Sequence, residues 1–232
     1  MNEIIKKRKS VRKYSETPLD QQALEKISEK IKELTPLYPD IKYSIEITSK
    51  TKGMFNIKSP HYLVFKSEKK EGAYENIGFI GQQMDLYLSG NEIGTCWLGA
   101  SKPEGKQSQS DMHSFICMSF GTPAEPVYRE YSQFKRKQRS DISEGNDPRL
   151  DSARLAPSGI NAQNWYFIAT QGKIHCYRKK TNPLLGFWLG NMARIDLGIA
   201  ICHIAEDSND FTFNIQPDAP KKSGYIYSGT VG

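Results

Sequence analysis

Histidine and cysteine are scarce in this chain, four of each among 232 residues, and their spacing excludes the sites they usually build. No two cysteines form a CxxC pair and no histidine stands at metal-ligand spacing, so neither a zinc centre nor a redox dithiol is indicated. Cys96, Cys117, Cys176 and Cys202 each lie in an apolar stretch, the pattern of buried, reduced thiols in a cytoplasmic protein. No apolar run approaches the ~18 residues that a membrane span needs. The N-terminus is charged and lacks an apolar h-region, and a cytoplasmic location is expected. No GxGxxG follows a strand, so a dinucleotide-binding fold is not signalled.

Hydrophobic residues make up 38% of the chain and charged residues 25%, which suits one large domain or two small, closely packed halves. The net charge is +6, and an excess of that sign favours an anionic ligand. Much of it sits in two clusters, Lys6-Lys7-Arg8-Lys9 with Arg12-Lys13, and Lys135-Arg136-Lys137 with Arg139. Two local clusters suit a compact phosphate better than a long polyanion. The sequence also lacks a helix-turn-helix, an RRM signature and a stacked aromatic strand, which argues against nucleic acid.

Residues 2–9 read as a short basic helix. Asp20 reads as the N-cap of a helix reaching Leu34, with Leu24, Ile27, Ile31 and Leu34 on its apolar face and Thr35-Pro36 as its stop. Strands are expected at 43–48 and 61–66. A helix over 74–92 is apolar on most sides, and Gly78 and Gly81 within it point to close packing against another helix. After it come a short run at 95–99, a polar loop and a buried strand at 115–120. Residues 121–150 are rich in proline, glycine and charge and form the best linker candidate. A helix near Asp151, strands at 166–170 and 173–178, a long apolar helix over 188–206, a short strand at 211–215 and a Gly- and Tyr-rich tail complete the chain. The order indicates an α+β architecture with a mixed, mainly antiparallel sheet flanked by helices. Gln83-Met84-Asp85-Leu86 and Arg194-Ile195-Asp196-Leu197 form a weak internal echo of one another.

Three segments carry chemistry. In Arg8-Lys9-Ser10-Val11-Arg12, alternate residues of an extended segment point the same way, so Arg8, Ser10 and Arg12 could converge on one anion with forked guanidinium donors. In Ala156-Pro157-Ser158-Gly159-Ile160-Asn161-Ala162-Gln163-Asn164-Trp165, the proline and glycine shape a tight turn beside an apolar anchor. Such a surface fits a flat heterocycle with a polar edge, and equally an ordinary helix-to-strand turn. In Gly94-Thr95-Cys96-Trp97-Leu98-Gly99, backbone amides could face a ligand or simply start a strand. His175 and His203 are conceivable proton donors, but His203 lies on an apolar helix, and a satisfied buried histidine is the simpler reading; Cys96 reads as packing.

Taken together, these segments resemble the FMN-dependent nitroreductase family. The resemblance implies a nitroreductase-like fold in which Arg8, Ser10 and Arg12 bind the FMN phosphate, with Lys9 and Arg12 as sources of donors near flavin N1 and O2. It further implies that Pro157, Ser158, Gly159 and Asn161 lie against the isoalloxazine. Trp97, Leu98 and Gly99 would present backbone amides to N5 and O4, and Arg136 and Lys137 resemble a degraded segment that returns to the phosphate. Asn164 stands where the family usually has proline. In usual members the first two segments lie close together in one subunit, and flavins are sandwiched between two subunits. Here those segments stand about 145 residues apart, and the first half has Leu34-Thr35-Pro36-Leu37-Tyr38-Pro39 where the turn should be.

With the resemblance, this spacing leads to the expectation of two homologous halves fused as a pseudo-dimer: 1–125 on the phosphate side, a connecting segment at 126–150, and 151–232 on the isoalloxazine side. One FMN per chain and a monomer follow as expectations. The implied activity is transfer of hydride from NAD(P)H through flavin N5 to a small nitro, quinone or similar acceptor. No protein nucleophile, catalytic acid or metal is required. The alternative is a flavin-holding or electron-relay protein with the same motifs.

Overall fold

The computed structural model describes residues 2–53, 57–104, 111–181 and 186–232. The N-terminal segment departs from the expected helix. One turn forms, with the Arg8 amide donating to Ile4 O at 2.8 Å, and the chain then runs extended and makes single bridges from Arg8 to Tyr128, Ser10 to Thr95 and Tyr14 to Pro123. Pairing with other segments satisfies backbone groups that a helix of this length would leave open at both ends.

The first half is built as expected from its periodicities. Helix α1 (Gln21–Lys32) starts at Asp20, whose side chain accepts the Ala23 amide at 2.8 Å. Strands β1 (Tyr43–Thr48), β2 (Thr51–Gly53) and β3 (His61–Ser67) lead into helix α2 (Ala73–Gly90). Then follow β4 (Gly94–Leu98), β5 (Ser101–Pro103) and β6 (His113–Gly121). The polar loop expected after Gly99 lies partly outside the described residues.

In the second half, α3 (Arg139–Ile142), β7 (Ser143–Glu144) and α4 (Arg149–Leu155) precede β8 (Trp165–Thr170) and β9 (Lys173–Lys179). Helix α5 (Gly186–Ala205), β10 (Phe213–Asn214) and β11 (Tyr225–Val231) end the chain. The Gly- and Tyr-rich tail is therefore a strand, and an internal one, because it pairs with both β10 and β9.

The strands divide between two main sheets, β1-β3-β6-β4 and β10-β11-β9-β8-β7, with β2 and β5 paired apart. Among the described strands, only β7 and β8 run parallel. Without β7, the second sheet repeats the first: each half contributes two strands, a long helix and two more strands, in the spatial order first, second, fourth, third. The main apolar core draws on α2, α5 and both sheets, including Ile77, Ile80, Phe65, Phe120, Phe167, Leu197 and Ile201. Among the described residues, no helix is long and apolar enough to cross a membrane.

The two long helices cross at glycine. A Cβ on Gly78 would collide with the Ile195 carbonyl, and one on Gly198 with the Glu75 carbonyl. Gly81, read as a second helix-contact glycine, instead leaves room for the Trp97 ring. The two collisions are reciprocal and match Gly78 to Gly198 and Glu75 to Ile195, the same separation along the chain in both cases. Asn76 and Asp196 fall into that register, and both accept backbone amides from a turn: Leu37 and Tyr38 in the first half, Gly159 in the second. The structural repeat thus aligns Asn76-Ile77-Gly78 with Asp196-Leu197-Gly198. The echo between Gln83–Leu86 and Arg194–Leu197 is in a different register and is not the one the helices use.

Candidate functional site

The extended N-terminal segment sits beside β4, where the Val11 amide donates to Thr95 O at 2.8 Å. It forms one wall of an open cleft of about 450 Å³ lined by Lys9, Ser10, Arg12, Lys13, Arg129 and Gln133, with one carboxylate, Glu125. That carboxylate is already engaged. It accepts the Arg12 amide at 2.6 Å and lies 3.8 Å from Lys9 Nζ, and the Arg12 amide is the main reason its pKa falls below the usual value. Arg12 is exposed, and its side chain contacts the Ser10 carbonyl at 3.5 Å.

Arg8 does not line the cleft. Its residue is fully buried, with Nε 2.9 Å from Asp85 Oδ2 and Nη2 3.5 Å from Ser10 Oγ. Its Nη1 has no hydrogen-bond partner among the described residues. Arg8 therefore stands directly behind the cleft wall that Ser10 forms, with Nη1 unpartnered and Nε held by the ion pair with Asp85 alone.

Arg129 was not legible as a site residue; it lay in what read as linker. It donates from Nε to Arg8 O at 3.1 Å and stacks over Phe134, 4.6 Å from the ring centroid. Arg136 lies 5.5 Å from the same ring. Both guanidinium pKa values are pushed down to about 10 by burial first, and then by neighbouring cations: Arg8 and Arg12 for Arg129, and Arg8, Arg129 and Arg154 for Arg136. No carboxylate offsets the charge of Arg129 or Arg136, a balance that suits an anionic ligand.

Asp85 belongs to a buried network that runs behind this wall. It accepts from Gln82 Nε2 at 2.8 Å and from the Thr95 hydroxyl, besides its contact with Arg8. Gln82 Oε1 accepts from Trp97 Nε1 at 3.2 Å. Gln82 Nε2 also lies 3.1 Å from His203 Nε2, while His203 Nδ1 lies 3.0 Å from the Ser152 carbonyl. A carbonyl only accepts, so Nδ1 carries the proton and Nε2 accepts from Gln82. Burial lowers the His203 pKa to about 3, with Arg8 and Arg136 acting in the same direction. The histidine is neutral and fully partnered, as a structural role requires. His175 bonds the Thr230 hydroxyl at 2.7 Å on the second sheet, away from the cleft.

The turn after α4 is held from several sides. The Gly159 amide donates to Asp196 Oδ1 at 2.9 Å and the Gln163 amide to Ser158 Oγ at 3.0 Å. Arg136 Nη1 donates to Asn161 Oδ1 at 2.7 Å. Lys137 Nζ donates to Ala162 O at 2.8 Å, and its backbone amide to Gln163 Oε1 at 2.9 Å. These contacts fix an unusual backbone, with positive φ at Ile160 (49°), Asn161 (58°) and Gln163 (49°). Ile160 is 96% exposed, so apolar burial does not compensate its conformation. Backbone strain of about 1–3 kcal/mol per residue persists only where the surroundings over-determine it, and it concentrates at binding sites.

Met192, on α5, connects this turn to the first half. A Cβ on Gly99 would stand 2.8 Å from Met192 Cε, and one on Gly159 3.1 Å from the same atom. The structure thus brings Gly99, Gly159 and Asn161 with Arg136 into one neighbourhood, and Lys9, Ser10 and Arg12 into the adjoining cleft. Pro157 and Leu98 are buried, and Leu98 packs with Tyr62, Val64 and Cys117. The Trp97 ring is committed to stacking on Phe65, with centroids 5.5 Å apart.

Comparison with known proteins gives this geometry a family. Residues 1–208 match the family model described as "Putative TM nitroreductase". The chain belongs to that nitroreductase family. A solved structure of a "putative nitroreductase" from Thermotoga maritima MSB8 superposes with a TM-score of 0.65 at 21% identity, covering 100% of this chain and 92% of that one. A nitroreductase family protein from Clostridium difficile 630 reaches 0.50 at 14% identity, covering 61% of this chain and 96% of that one. Both show the nitroreductase-like fold. No curated protein matches the chain.

In this nitroreductase-family chain the two halves differ at the same turn. Leu34-Thr35-Pro36 corresponds to Leu155-Ala156-Pro157, and Tyr38, whose amide bonds Asn76, corresponds to Gly159, whose amide bonds Asp196. Where the second half has a bare glycine, the first has a phenol ring. The Tyr38 ring covers Gly72 so closely that a Cβ there would stand 2.9 Å from it. It also packs edge-on against Phe213, with centroids 5.5 Å apart, and donates to Ser228 O at 3.3 Å.

Proposed function

We propose that the chain is an FMN-dependent oxidoreductase that takes hydride from NAD(P)H and delivers it to a small nitro, quinone or similar acceptor, with one flavin site per polypeptide. The observation that carries this reading is the arginine cluster: Arg12 and Arg129 line the cleft, Arg8 stands behind it and Arg136 beside it, with few carboxylates among them, and the buried Arg8 Nη1 lacks a partner among the described residues. A phosphate dianion supplies the missing charge and acceptors. The donor set therefore fits the group. Ser10, Arg12 and Arg129 would grip the phosphate from the cleft, with Lys9 at its edge. The over-determined turn at 157–161 and the Gly99 region would border the ring, with the Met192 methyl, which packs against both glycines, as part of that border.

When bound, FMN supplies two-electron hydride chemistry, so the protein needs no nucleophile. The chain's own contribution is positional and electrostatic. Its arginines hold a tail in place, its turn is pre-set by Asp196, Arg136 and Lys137, and its one buried histidine near the site stays neutral. The Tyr38 ring, packed edge-on against Phe213, stands at the corresponding turn of the other half, which supports one site in a fused pseudo-dimer and a monomeric protein.

Anaerobic addition of NADH or NADPH to the flavin-loaded protein tests the activity. Rapid bleaching of the flavin absorbance is expected. A flavin that stays oxidised with both donors would favour an electron-relay or flavin-holding protein.

A further inference from the structure

A buried carboxylate on an apolar helix calls for an explanation. Asp85 has no solvent exposure and lies on the core-facing helix α2, whose neighbours Met84, Leu86 and Leu88 are buried hydrophobics. Replacing a buried ion pair by apolar side chains is often neutral or stabilising, so the Asp85–Arg8 pair is not explained by fold stability alone. Its geometry offers another reason. Asp85 makes its ion pair at the Nε edge of Arg8, while Nη2 reaches toward Ser10 Oγ and neither Nε nor Nη1 has a hydrogen-bond partner among the described residues. The Thr95 hydroxyl and Gln82 Nε2 hold the carboxylate from other sides, and Thr95 is the residue that bridges Ser10 in the cleft wall.

We infer that Asp85 is a positioning residue for phosphate recognition: it clamps Arg8 by one edge and leaves the other edge for the phosphate group of FMN. This rests on the FMN reading above. Asp85 does not touch the ligand; it acts through Arg8. It also compensates a guanidinium that would otherwise be a buried, unpaired charge in the ligand-free protein, so the site can stand ready before the phosphate arrives.

The test compares FMN with riboflavin, which carries the same ring and sugar chain without the phosphate. Affinities are read by quenching of flavin fluorescence for wild type and Asp85→Asn. Wild type is expected to prefer FMN by at least about 100-fold, since several charge-assisted bonds are at stake. In Asp85→Asn that preference is expected to fall by about tenfold or more, with riboflavin affinity little changed. Equal weakening of both ligands, or an intact preference, would show that Asp85 has only a structural role and would overturn the inference. Should Asp85→Asn not fold, the double variant Arg8→Met with Asp85→Leu replaces the pair by apolar groups; it is expected to bind riboflavin like wild type and to lose the preference, and retention of the preference would overturn the inference. If wild type binds neither flavin, the FMN reading itself is wrong, and this inference goes with it.

Discussion

Asp196 is a carboxyl placed where its counterpart in the other half is an amide. Both side chains accept a turn amide, Asn76 from Leu37 and Tyr38 and Asp196 from Gly159, but only Asp196 can ionise. Burial raises its pKa from 3.8 to about 7, partly opposed by the Gly159 hydrogen bond. The folded state thus holds its proton more tightly than the unfolded state. The associated stability is complete below about pH 4 and is lost as the pH rises toward and through 7. Asp196→Asn keeps an acceptor for Gly159 and removes the charge. Relative to wild type it is expected to be more stable at pH 8, by on the order of 2–4 kcal/mol, and nearly equal at pH 4. Urea titrations of both proteins at the two pH values measure the difference. A variant that is weaker than wild type at pH 8 would show that the charge itself is needed.

At the scale of elements, the crossing of α2 and α5 depends on two absent methyl groups. A Cβ on Gly198 would meet the Glu75 backbone carbonyl, which has no flexible end to move aside. Gly198→Ala is expected to cost at least about 1–3 kcal/mol, the usual range for an overpacked core, although alanine is the better helix former by about 1 kcal/mol. A rise in thermal midpoint would contradict the packing. The helix pair was partly legible in the sequence. The apolar periodicity located α1, α2 and α5, and Gly78 was read as a helix contact, because regular 3.6-residue patterning and a glycine inside a helix are local signals. The repeat register was not legible, because it rests on which residues two helices set against each other. Strand β11 was read as a tail, since Gly224 and Gly229 dilute its Tyr-Ile-Tyr pattern. The basic N-terminal segment was read as helix, whereas its partners, Tyr128, Thr95 and Pro123, are distant in the chain. Of the candidate site, the Arg-x-Ser-x-Arg and Ala-Pro-Ser segments were proposed from residue type. Arg129, Asp85, Asp196 and Met192 were not, because only the fold brings them there.

At the scale of the whole molecule, two halves with the same strand order differ at the turn that each long helix holds. In the second half that turn presents Gly159; in the first it carries the Tyr38 ring, packed edge-on against Phe213. The Arg8-x-Ser10-x-Arg12 segment has no counterpart in the second half, so on the reading proposed above the repeated scaffold carries one site. The most direct test of this account is native mass spectrometry of the protein saturated with FMN and freed of excess ligand. One polypeptide carrying one FMN is the predicted species. A polypeptide that carries two, that carries none, or that holds flavin only as a homodimer would contradict it.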